Sequence, residues 1–333
     1  MMNKSINKYY LYYKNVLKDK YSTGEILTNI QGYFQPESVY TKKIGRHHYF
    51  DSIIIPEDGE LLAIPLDSKE EILKRNNIKI STGERLFNNH QWVLPPFVPM
   101  GQIIELTQTP IGEKALELFE AMYPIEVIVR QIKGTYQRIT EIKSHIQLIT
   151  QAVESYLMNH VASSITLLLT VIEGIAREYC DNHSISYNKS GSTSAFEAVL
   201  KTGKIKWRDS ILFYDHESKQ RLILPDDYLN DTFLRRIDEG MDLLISYESY
   251  GLDYLYKSNS NHPLNRHSIL HGTNKSFYID INFYRLFTCL EALAFAVSLD
   301  PFSYNVEYLD DGIELLVRFE KLKTFQEFNK HIQ

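Results

Sequence analysis

Cysteine is nearly missing from these 333 residues: only Cys180 and Cys289 occur, each inside an apolar, helical-looking segment. Two buried free thiols in a reducing compartment is the reading this favours over a disulfide. Long uninterrupted apolar runs are lacking as well. The opening stretch MMNKSINKYYLYYKNVLKDK has no unbroken apolar core and predicts no secretory signal. The longest apolar run, SSITLLLTVIEGIA, is interrupted by Glu173 well short of a membrane span. These absences predict a soluble, cytoplasmic protein with no membrane partner. Excess positive charge is also lacking, since the net charge is −6 and the chain as a whole has no nucleic-acid signature. No Gly-rich phosphate loop, Ser/His/Asp set or Cys-x-x-Cys motif occurs, and SGSTS has no lysine where a phosphate loop needs one. No cofactor is therefore expected.

Present instead are an ordinary globular composition, 44% hydrophobic and 23% charged, and enough length for one large or two ordinary domains. The charge is uneven. Residues 1–50 carry seven lysines and Arg46 against Asp19, Glu25 and Glu37, a net +5, which leaves −11 for the remainder. Such asymmetry marks either a phosphate-facing patch or, more commonly, a solvated surface. Seven of the eleven prolines precede residue 111. There the pattern is mixed: a Lys- and Tyr-rich segment at partly helical spacing, then β-like runs such as DSIIIPEDGELLAIPL and HQWVLPPFVPMGQIIEL. From Thr109-Pro110 onward the spacing becomes helical. A break near Asn159-His160 divides a sixty-residue helical pattern into an antiparallel pair, residues 203–225 read as irregular, and SFYIDINFYRLFTCLEALAFAVSLD reads as a core helix. The expected fold is mostly α: a small α+β domain over 1–110, of regulatory or RNA-selecting role, followed by a helical bundle over 111–333.

The stretch NHPLNRHSILHGTN, residues 261–274, concentrates three histidines, one arginine and three asparagines. Pro263 suits the first turn of a short helix over 263–271, and Gly272 suits the left-handed residue that ends it. His271 falls in the last turn, where the helix dipole favours an imidazolium and so suits an acid–base group. Arg266 offers a planar cation able to hold two phosphate oxygens. Cleavage of RNA without metal needs a base for the 2′-hydroxyl, an acid for the leaving 5′-oxygen and a cation for the charged phosphorane. On an ideal helix Arg266 and His271 lie about 140° apart, whereas His267 and His271 differ by about 40°. Arg266 and His271 can thus converge if the helix lies along a cleft, or if a second protomer supplies the opposite wall.

The segment LNRHSILHG resembles the signature of the HEPN superfamily, helical domains with an Arg, a polar residue, and a His four to six positions after the Arg. Arg266, His267 and His271 match that pattern, and Asn265, Gly272, the following NFYRLFTCLEALA and the upstream LLLTVIEGIAREY fit a bacterial branch of it. The resemblance covers roughly residues 111–333. It implies a HEPN-like bundle acting as a metal-independent endoribonuclease, a homodimer whose motifs face one cleft, of toxin–antitoxin or anti-phage defence type. Its substrate would be tRNA, rRNA or mRNA, and an antitoxin or defence-system protein would be a partner. Arg266 would hold the scissile phosphate, His271 would transfer protons, and His267 would orient the phosphate or share that transfer. A branch paired with nucleotidyltransferase antitoxins carries a Tyr two residues after the motif His; here Gly272 and Thr273 follow, so modification at such a Tyr is not expected.

Simpler readings stand beside these. The same residues suit a non-catalytic HEPN-like module that binds nucleotide or RNA, or dimerises. His267 and His271 are spaced like two zinc ligands, with His262 as a third, but no His-Glu-x-x-His pattern supports a metal. Glu173 pairs on the surface with Arg177, or else holds Arg266 or a histidine from behind. Asn265 caps or braces the short helix. The cluster Arg46, His47, His48 reads as surface, and Tyr9, Tyr10, Tyr12 and Tyr13 read as an amphipathic helix packed on the helical bundle in preference to a base-stacking platform.

Overall fold

Asp58 and Gly59 both take positive φ, 51° and 78°, and so make the two-residue turn whose twist matches a right-handed hairpin. Around that turn β2 (Phe50–Glu57) pairs antiparallel with β3 (Glu60–Pro65), and β1 (Tyr40–Ile44) pairs antiparallel with β2. In the computed structural model, which describes residues 4–47, 49–90, 93, 95–108, 114–190, 193–256, 264–299 and 310–330, the hairpin lies in a five-stranded sheet. The other two strands are β4 (Tyr214–Asp215) and β5 (Gln220–Ile223), and the order is β1-β2-β3-β5-β4. Strand β5 joins β3 in parallel, Leu61 opposite Leu222. Lys42 of β1 donates to Asp215 of β4 at 2.7 Å, which brings the two edge strands together and curls the sheet. Residues 203–225, expected to be irregular, therefore supply two strands. Their runs are too short for a period-2 signal to stand out from a loop.

The described chain divides into two compact units, Met1–Ser81 with Lys204–Asp242, and Thr82–Gly203 with Leu243–Gln333. This partition differs from the expected break at residue 110. Residues 82–108 are grouped with the helical unit, and 204–242 return to the sheet-bearing one. In the first unit, Tyr9, Tyr13, Ile26 and Ile30 from the helices Lys4–Tyr12 and Thr23–Phe34 and the π-turn between them pack on Ile53, Ile55, Leu62 and Ile64. On the opposite face Phe50 meets the rings of Phe213, Tyr228 and Phe233. Both faces are covered, so β2 is buried continuously from Ser52 to Ile55 without alternation.

Trp207 is fully buried in that unit, and its indole N–H donates to Asp238 Oδ1 at 2.7 Å. Any Cβ added at Gly240 would overlap the indole ring. Gly240→Ala is therefore expected to cost about 1–3 kcal/mol by overpacking, read as a lower urea midpoint at unchanged m-value.

Among its described residues the second unit holds helices and no strand. The run HQWVLPPFVPMGQIIEL, expected to be β-like, leads into the helix Met100–Gln108, with Pro99 just before its start. Pro pre-sets φ for a first helical turn, and that use of proline prevails over the strand reading. Helices Ile146–Leu157 and Val161–Asn182 turn back on each other at Asn159, φ 63°, as the break near 159–160 predicted. Gly174 makes the close approach possible: a Cβ there would sit 2.8 Å from His145 Cε1. Helix Asp280–Ser298 is buried almost throughout from Asn282 to Ala296 and packs on Val161–Asn182. It is long and apolar enough to cross a membrane by length and composition, but 78% of its most apolar window is buried inside the protein. Cys180 and Cys289 are both free and buried, and burial pushes their thiols up to about 11 and about 12.

Candidate functional site

The motif helix is shorter than its sequence pattern. It runs Arg266–Leu270 and starts at Asn265, whose side-chain oxygen accepts from the Ser268 N–H at 3.1 Å. Ser268 Oγ donates back to the Asn265 carbonyl at 2.9 Å, and Asn265 is only 2% exposed. Asn265 thus sits as a cap and brace, satisfying a backbone donor that the first turn leaves open. Gly272 takes φ 70° and closes the helix as expected. Leu264 and Ile269 are buried and anchor the turn to the unit. Pro263 and His262, the latter being the third ligand of a zinc reading, lie outside the described residues.

Arg266 turns inward. Its Nη2 lies 2.5 Å from Oε2 of Glu173, on the neighbouring helix Val161–Asn182. The other oxygen of Glu173 accepts from Arg177 Nε at 3.0 Å and Nη2 at 2.8 Å. One carboxylate therefore bridges two guanidinium groups, and both sequence readings of Glu173 are realised together. The Glu173 side chain is 13% exposed and Arg266 is 26% exposed, so the pair is shielded yet reachable from solvent. Glu173, more than any other group, raises the Arg177 pKa by hydrogen bonding. Arg266 Nε is buried and has no acceptor among the described residues.

His267 and His271 face outward. Both are exposed, and their ring centroids lie 4.3 Å apart at an interplanar angle of 56°. Their four-residue spacing puts them on one face, and Arg266 falls on another. The structure thus assembles Glu173, Arg177 and Arg266 as one cluster, with the two imidazoles as an adjacent open pair.

One member of the neighbourhood has no sequence signal. Tyr256 is fully buried, its hydroxyl has no partner among the described residues, and burial raises its pKa above the ordinary phenol value. The Glu173 carboxylate adds to that rise and Arg266 opposes it. Tyr256 ends the Tyr-rich stretch ISYESYGLDYLY, so nothing in the spacing distinguishes it from the other tyrosines there.

The other clusters singled out in the sequence are occupied structurally. Arg46 lies over the Trp207 ring at 5.3 Å and 3.7 Å from Asp238 Oδ2, while His47 meets Tyr49 edge-on; His48 lies outside the described residues. Tyr9 donates to Glu57 at 2.8 Å, Tyr10 to Asp227 at 2.9 Å and Tyr13 to the Leu66 carbonyl at 2.5 Å. Tyr12 stacks on Tyr33. These tyrosines pack the opening helix onto the sheet, where a place on the helical bundle was expected. The reason is the curled sheet, whose apolar face needs a cover.

No protein-family model, curated protein or solved structure matches this chain.

Proposed function

We propose that the protein is a metal-independent endoribonuclease of a bacterial toxin or anti-phage defence type, built on a HEPN-like helical bundle. The observation that carries this reading is a cation, Arg266, held by the shielded carboxylate of Glu173 one residue before a solvent-open pair of imidazoles. Arg266 holds the scissile phosphate. His271, supported by His267, takes the 2′-hydroxyl proton and supplies one to the departing 5′-oxygen. The 2′-oxygen bonds to phosphorus as the phosphorus–5′-oxygen bond breaks, which leaves a 2′,3′-cyclic phosphate and a 5′-hydroxyl. Proton transfer of this kind and a fixed cation on the phosphorane are sufficient chemistry without metal. Because Arg266 and the imidazoles do not share a helix face, a homodimer supplies the opposite wall of the cleft. In this reading tRNA, rRNA or mRNA is cut in the cytoplasm, and an antitoxin or defence-system protein restrains the enzyme.

A second reading draws on the same ion pair. Glu173 already engages Arg266, which suits a non-catalytic HEPN-like module that binds nucleotide or RNA, or dimerises.

Incubating RNA with purified protein in EDTA separates them. The enzyme reading expects cleavage to persist in EDTA and to fall by about 100-fold or more in Arg266→Ala and His271→Ala, with a smaller loss in His267→Ala. Intact RNA with wild-type protein freed of its regulator sinks the enzyme reading and leaves the binding module. Cleavage abolished by EDTA would bring back the zinc site.

A further inference from the structure

Residues 131–143 do not hold a regular helix. A π-turn over Gln131–Thr135 is followed by three helical residues, Tyr136–Arg138, and then by a break at Ile139, φ −101° and ψ 112°. Helix resumes over Thr140–Lys143. Interruptions of this kind free side chains from helical registry and recur at functional sites. Here the break faces His183, which ends the helix Val161–Asn182, and Val297 near the end of Asp280–Ser298. Together they enclose a cavity of about 410 Å³, within the range of small-molecule sites.

The chemistry inside is specific. Glu141 is 7% exposed, and its Oε1 lies 3.3 Å from Nε2 of His183, whose side chain is 43% exposed. Arg138 is exposed and, among the described residues, makes no ion pair or hydrogen bond; the Thr140 hydroxyl is likewise without a partner there. Ile139 and Val297 supply apolar wall. Arg138 and Thr140 thus offer a permanent cation and a hydroxyl donor on the wall of one cavity, a pairing that suits phosphate oxygens. The carboxylate of Glu141 would repel a bare anion but accepts hydrogen bonds from neighbouring hydroxyl groups. The cavity is also larger than phosphate alone requires. We propose that it is a binding site for a phosphorylated sugar of pentose-phosphate size, with the phosphate on Arg138 and Thr140 and the sugar hydroxyls on Glu141 and His183. The site is independent of the Arg266 cluster, although both lie along one helix: Glu173 and His183 are ten residues, about 15 Å, apart on it.

Calorimetric titration of the full chain tests this with ribose 5-phosphate, free ribose and inorganic phosphate. Ribose 5-phosphate should bind one per chain, about tenfold or more tighter than either half molecule. Arg138→Ala should weaken it by about tenfold or more, and Glu141→Gln should weaken it while binding of inorganic phosphate is strengthened. Arg266→Ala should leave it unchanged. Because Arg138 is exposed, its loss buries nothing unpaired, and a native circular dichroism spectrum is expected for that variant. No binding to wild type, undiminished binding to Arg138→Ala, or binding lost in Arg266→Ala would each overturn the assignment.

Discussion

Glu173→Ala is expected to lower unfolding stability by about 3 kcal/mol or more and, on the proposed ribonuclease reading, to remove RNA cleavage along with it. The reason lies in what the carboxylate does: it is a shielded group that bridges Arg177 and Arg266. Removing it leaves two guanidinium groups facing one another with no anion between them, and Arg266 already has a buried Nε without an acceptor among the described residues. Arg177→Ala is the control. That side chain is 32% exposed, and its loss leaves the Glu173–Arg266 pair in place, so a cost of about 1 kcal/mol or less is expected, with cleavage retained. Urea titrations of the two single variants and the double variant give the coupling directly. If Glu173→Ala and Arg177→Ala cost the same small amount, Glu173 is an ordinary surface partner and the positioning role fails.

The second large effect is a pH dependence from Glu291. This residue is fully buried on the core helix, accepts a hydrogen bond from the Tyr136 hydroxyl, and has its other oxygen unpartnered among the described residues. Burial pushes its pKa up from 4.5 to about 8, against the smaller downward pull of the Tyr136 hydroxyl. The native state therefore keeps a proton that the unfolded chain releases near its ordinary carboxylate pKa. Stability linked to this group is fully present below about 4.5, falls as pH rises from there to about 8, and changes no further above that. Glu291→Gln, which is neutral at every pH, should remove this slope. It should be a few kcal/mol more stable than wild type at pH 8 and nearly equal at pH 4.5. Denaturant unfolding at the two pH values checks the sign, and a wild-type advantage that grows with pH would contradict a neutral buried carboxyl.

How much of this was legible beforehand depends on the range of the interaction. The β-like run DSIIIPEDGELLAIPL, the cap at Asn265, the left-handed Gly272, the turn at Asn159 and the core helix all follow from contacts within a few residues. There, side-chain type and backbone conformation determine each other. The partition differs from a boundary at 110 because the sheet is completed by β4 and β5, which begin 149 residues after the end of β3, and two short strands carry no periodicity. Of the candidate site, the residue types Arg266, His267 and His271 and the pairing of the two imidazoles on one helix face were readable from helical spacing. That this face opens outward was not, nor was the direction of Arg266.

By itself, then, the sequence determined a mostly helical chain with β-like runs near its start, two free buried thiols, and a short capped helix that carries an arginine and two histidines. Tertiary structure alone decided that Glu173 meets Arg266 across 93 residues of chain, that Tyr256 is sealed beside them, and that His183 comes to Glu141 at a break in another helix. The physical reason is that local backbone chemistry is specified by neighbours in sequence, whereas a carboxylate's partner is chosen by which helix faces pack together. That packing depends on burying apolar area over the whole unit, and no single motif contains it.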